Sequence, residues 1–142
     1  MKHTPLITLA SILIFFACTN EPKNSHLGNW DLRVIEYYDS TSNEWEISDW
    51  MKGGSGKLTY LNDSMMEVEF LPKTYALDST GRYASTASYT HKINSNLFKH
   101  TRLTHTDKSE NGQTVERYIT VENDTLTMSA KEFGLRLVWQ RL

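Results

Sequence analysis

The chain has a single cysteine, Cys18, so no disulfide can form within it and its stability must come from a buried core. Basic blocks are missing too. Fifteen Lys and Arg stand against seventeen Asp and Glu, for a net charge of −2. That balance offers no electrostatic footprint for a phosphate backbone, so nucleic acid is not an expected partner. The longest apolar stretch, residues 6–16, is broken by Thr8 and Ser11 and is too short to cross a bilayer as a stable helix. No Gly-x-Ser-x-Gly elbow is present, and no Ser and His stand in a context that would activate a hydroxyl. Gly53-Gly54-Ser55-Gly56 lacks the Lys-Ser/Thr ending and following helix of a phosphate loop, and reads as a flexible approach to a strand. Of the five histidines, His3 lies in the leader and His26 in a tether, and a His91–His100 pair would supply two metal ligands at most. Neither a metal nor a cofactor is expected.

What is there is an ordinary globular composition, with 39% hydrophobic, 11% aromatic and 23% charged residues. Residues 1–17 stand apart: Lys2 and His3 give a short basic start, the apolar stretch follows, and Ala17 precedes Cys18. This run resembles a bacterial lipoprotein signal peptide, which implies Cys18 as the lipid-bearing first residue of the mature chain. The alternatives are a secretory signal that happens to hold a thiol, or a free buried cysteine. Residues 18–26 then form the lipidated cysteine and a polar tether, and residues 27–142 form one domain. Two or three acyl chains, at about 0.8 kcal/mol per buried CH₂, would anchor that domain to a membrane leaflet. The expected location is the bacterial cell envelope, on the outer membrane, facing either the periplasm or the surface. Cleavage leaves 125 residues, enough to bury about two-thirds of the unfolded surface.

Hydrophobic spacing from Leu27 onward has period two, in short segments separated by Gly, Asn, Asp or Ser. Eight strands are predicted, over residues 30–38, 57–61, 65–71, 83–93, 97–106, 114–121, 125–130 and 135–141. Short turns favour antiparallel neighbours, and eight strands in series suit an all-β, eight-stranded antiparallel up-and-down barrel, which leaves no exposed edge. An open sandwich is the rival. One connection is long: residues 39–55 carry Trp45, Ile47, Trp50 and Met51, with Ser48 able to cap a helical turn, and read either as a lid over a barrel mouth or as a plug on its rim.

Leu27-Gly28-Asn29-Trp30, then residues 53–60, then Gly112 with Arg117-Tyr118 and Asp124-Thr125-Leu126-Thr127, and finally Leu137-Val138-Trp139-Gln140-Arg141 follow one another in an order that resembles the bacterial lipocalin-like domain family. The resemblance implies a small calycin-type barrel with a central cavity and little chemistry of its own. It also implies structural roles for Gly28, Trp30 and Arg141, with the arginine lying on the Trp30 ring at the closed end.

Alternation assigns faces. Trp30, Leu32 and Val34 share one with Glu36 and Tyr38, and Met66, Val68 and Phe70 share another. Leu126, Met128 and Ala130, and Leu135, Leu137 and Trp139, complete an apolar lumen. Arg117 alternates with Val115, Ile119 and Val121 and so points inward, where a guanidinium needs a carboxylate, a ring of hydroxyls or an anionic ligand. Glu36 is its candidate protein partner. On the fourth predicted strand Tyr83, Ser85, Ala87 and Tyr89 share a face with room between the tyrosines. A two-residue turn at Ser95-Asn96 would set His91 opposite His100 and Tyr89 opposite Arg102, whereas a three-residue turn would set Tyr89 opposite Thr101. The candidate ligand contacts are therefore Arg117, Tyr89, Tyr83, Glu36, His100, Arg102 and Trp50. Three functions follow from this set. The first is a membrane-anchored carrier of a small apolar or amphipathic, acid-headed molecule; the second is a filled barrel whose surface binds an unknown protein; the third is a cofactor-free enzyme acting on a lipid-like substrate.

Overall fold

A computed structural model describes residues 25–49, 52–72, 82–92, 95–130 and 134–142. Nine strands follow the chain: β1 (Gly28–Asp39), β2 (Glu44–Ile47), β3 (Ser55–Tyr60), β4 (Met65–Leu71), β5 (Tyr83–His91), β6 (Leu97–His105), β7 (Thr114–Glu122), β8 (Thr125–Ala130) and β9 (Leu135–Arg141). From β3 to β9 each strand pairs antiparallel with the next, and β1 pairs with both β3 and β9. Eight strands therefore close into an up-and-down barrel. Because β1 and β9 join edge to edge, all eight wall strands and the core lie within residues 25–142, and the barrel needs no other segment to complete it.

A ninth strand, β2, lies within residues 39–55, the connection read as a lid or plug. β1 runs on past the point where β3 leaves it, turns through Asn43 in the left-handed region (φ 59°), and is covered by β2 in the register Glu36↔Ile47 to Asp39↔Glu44. The free edge left on β1 is the physical reason for the hairpin, since an unpaired strand end exposes a row of backbone donors and acceptors. Trp45 packs on the outer wall, 5.5 Å from Tyr38 and 4.4 Å from the Arg136 guanidinium, rather than over a mouth. Trp50 and Met51 lie outside the described residues.

Two β-bulges set which side chains face inward. In β1 the register with β9 slips between Leu32 and Val34, so Ile35, not Val34, faces the lumen and Glu36 turns outward. In β6 the slip beside Thr86 and Ala87 makes Leu103 the extra residue, which leaves it exposed while Arg102 and His105 both turn in. The β5–β6 hairpin follows neither of the two expected registers. His91 faces Phe98 and Tyr89 faces His100, one residue away from the three-residue alternative.

One end of the barrel is filled. Trp30, fully buried, donates its indole N–H to the His26 carbonyl at 2.9 Å. The Arg141 guanidinium lies 4.2 Å above the Trp30 ring and donates to the Leu27 carbonyl at 2.8 Å. Gly28, at φ +113°, lets the backbone pass beneath that guanidinium, where a Cβ would sit 3.3 Å from Nη1. His26, placed in the tether by the sequence reading, is buried against Tyr60, Tyr89, His91 and Phe98.

Candidate ligand cavity

The other end of the lumen is hollow. A cavity of about 450 Å³ lies among the inward residues of β3 to β9 and Ile35 of β1, a size within the range of small-molecule sites. Leu58, Met66, Phe70, Met128, Leu137 and Trp139 form its apolar wall, each placed there by the period-two alternation of its own strand. Gly56 on β3 is what lets that wall close. A Cβ there would stand 2.9 Å from both Leu32 Cβ and Phe70 Cδ1, so the residue is a packing glycine in a strand and not part of a flexible approach.

Polar groups enter from one side. Tyr83 and Ser85 of β5, His100 and Arg102 of β6, and Arg117 of β7 all line the cavity. The β6–β7 register puts Phe98 opposite Arg117 and His100 opposite Val115, so Arg117 stands one step deeper along the lumen than His100, and Arg102 one step nearer the mouth. Both arginines act electrostatically on the same two groups, Tyr83 and His100. No carboxylate among the described residues lines the cavity.

His100 is held to about pH 3 in its proton affinity, first by burial and then by the positive charges of Arg117, His26 and Arg102, so it is a neutral ring. Its Nε2 lies 3.3 Å from the Tyr60 hydroxyl. Burial likewise raises the Tyr60 and Tyr83 hydroxyls above their ordinary value, against the opposing pull of Arg117. Toward the mouth the Tyr83 hydroxyl lies 2.6 Å from His105 Nε2, and the Asp107 backbone N–H donates to His105 Nδ1 at 3.0 Å. Arg102 is ion-paired with Glu110, the last residue of a single 3-10 turn (Lys108–Glu110) capped by Asp107. Arg117 Nη1 donates to the Glu116 carbonyl at 2.8 Å. The Trp139 indole N–H is buried with no hydrogen-bond partner among the described residues.

Of the seven candidates, the structure brings four to the cavity: Arg117, Arg102, His100 and Tyr83. Tyr89 sits beneath them in the filled end, where its hydroxyl donates to the Asn62 carbonyl at 2.5 Å and lies 2.9 Å from His26 Nε2. Glu36 is not the partner of Arg117. The bulge in β1 turns it outward, where it accepts from Arg136 Nε at 2.6 Å across the β1–β9 ladder. Trp50 lies outside the described residues. Sequence reasoning missed Glu110 and Trp139 as site residues. Alternation had put Trp139 on the apolar face, but nothing local marks its N–H as unpaired. Among the described residues no three His, Cys, Asp or Glu side chains gather so as to hold a metal ion. Comparison of the chain with protein-family models, with curated proteins and with solved structures finds no match.

Proposed function

We propose that this protein is a carrier that holds one small apolar or amphipathic molecule in the barrel lumen. The observation that supports it is the 450 Å³ apolar cavity, lined by two arginines and no described carboxylate. An apolar tail can bury against Leu58, Met66, Phe70 and Met128, at roughly 25 cal/mol per Å² removed from water, while an acidic head faces the arginines. The leader resembling a lipoprotein signal extends the proposal: acyl chains on Cys18 would hold the mature lipocalin-like domain at the cell envelope.

Native mass spectrometry of residues 19–142, produced in a bacterial periplasm without the anchor, tests this. A stoichiometric adduct, extracted and identified, is the expected result. A bare protein mass would favour a second reading, an interaction lipoprotein. That reading draws on the hairpin, where Ile47 is 72% exposed and Tyr37, Tyr38 and Trp45 stand open beside it.

A further inference from the structure

Arg102 belongs to two spaces at once. It lines the lumen cavity, and with Tyr83, His105, Asp107 and Glu110 it also lines a polar recess at the end of β6. Its side chain is 16% exposed, and a guanidinium that far from water needs a counter-anion. Glu110 supplies one from the solvent side. The accepting Glu110 carboxylate is 32% exposed and sits on a short surface turn in the β6–β7 connection, so it can return to water at little cost. The fold has therefore already covered the desolvation of Arg102 with an anion that is free to leave.

We infer that a ligand carboxylate displaces Glu110 from Arg102, so that the Arg102–Glu110 pair marks the head-group position and the ligand is a chain molecule with a single carboxylic acid. The inference rests on the carrier reading. The exchange is charge-neutral: one carboxylate leaves the guanidinium and another arrives, and no proton or bond changes hands. Arg117, on the next strand and acting on the same Tyr83 and His100, adds positive potential near the head group. A head with one negative charge replaces Glu110 without changing the charge around the arginines, whereas a dianionic head would change it by one, which favours the single carboxylate.

The test is calorimetric titration of residues 19–142, whose barrel closes on its own, with decanoate and with decanol at pH 7.5. Decanoate is expected to bind severalfold more tightly than decanol, the margin by which a carboxylate held in the lumen pairs better with Arg102 than the partly exposed Glu110 that it displaces. Glu110→Gln removes the competitor and should tighten decanoate binding severalfold while leaving decanol unchanged. Glu67→Gln, an equal change of charge on the outer face of β4, should alter neither. Arg102→Met should abolish the preference for the acid, and if that variant does not fold, Glu110→Gln alone decides. Equal affinities for acid and alcohol, or a Glu110→Gln variant that binds decanoate no better, would overturn the exchange and leave the carrier reading standing on the decanol result. Absence of binding by both probes would overturn the two together.

Discussion

Gly56 carries more of the barrel's shape than its neighbours in the glycine-rich run. A methyl group there meets Leu32 and Phe70 at 2.9 Å, inside any real Cβ contact, and both obstacles belong to packed wall residues. Gly56→Ala should therefore destabilise the fold by about 1–3 kcal/mol, the usual cost of overpacking, and chemical denaturation should show a lower midpoint with an unchanged slope. A midpoint equal to the parent's would mean that Leu32 and Phe70 yield freely. Residue-scale reading of the sequence succeeded where alternation decides the face, as for Met66, Phe70, Leu137 and Trp139, while the seating of Arg141 on Trp30 is what the resemblance implied. The reading failed where a role depends on a distant strand. Glu36 shares its apparent face with Trp30 and Leu32 in a straight strand, and only the slip between Leu32 and Val34, which answers the stagger of β9, turns it out to Arg136.

Elements were legible in proportion to the strength of their alternation. The eight wall strands each carry a run of period two flanked by turn residues, and they fold close to the limits that the pattern sets. β2 carries no such signal, because all four of its residues are exposed and its partner is the overhang of β1, which the local sequence cannot announce. The β5–β6 register escaped for a related reason: turn length and the Leu103 bulge act together, and Asn94-Ser95-Asn96 allows several lengths. The hairpin leads to a prediction of its own. β2 contributes no residue to the cavity wall, and only Ser48 just beyond it does so. Replacing Trp45 and Ile47 together by Thr keeps strand propensity and removes the exposed apolar surface. Ligand affinity in the calorimetric assay should then stay within about twofold, since neither side chain faces the lumen. A large loss of affinity would show that the hairpin closes on the ligand after all.

At the scale of the whole molecule, the filled end and the hollow end are joined by two buried neutral histidines, and these decide how the fold meets acid. His26 is depressed to about 4, by burial first and then by His91, with Asp63 opposing, while His100 is depressed to about 3. In the unfolded chain both would titrate near 6.5. Below that pH the unfolded state binds protons that the folded state refuses, so stability falls as pH drops from 6.5 and the loss runs on to about 4 for one ring and about 3 for the other. Each ring contributes a slope of about 1.4 kcal/mol per pH unit within its window, and neither contributes above pH 7. Asp39 and Asp107, both held below the ordinary carboxylate value by hydrogen bonds, add their own losses only at lower pH, which leaves the interval from 6.5 to 4.5 to the histidines. Urea unfolding at half-unit steps across that interval should show stability rising with pH and then levelling. His100→Gln, which can keep a hydrogen bond to Tyr60, should remove about half of the slope. A flat profile in the parent would mean that one or both rings find water or a counter-charge in the acid form, and that the lumen floor is wetter than its packing implies.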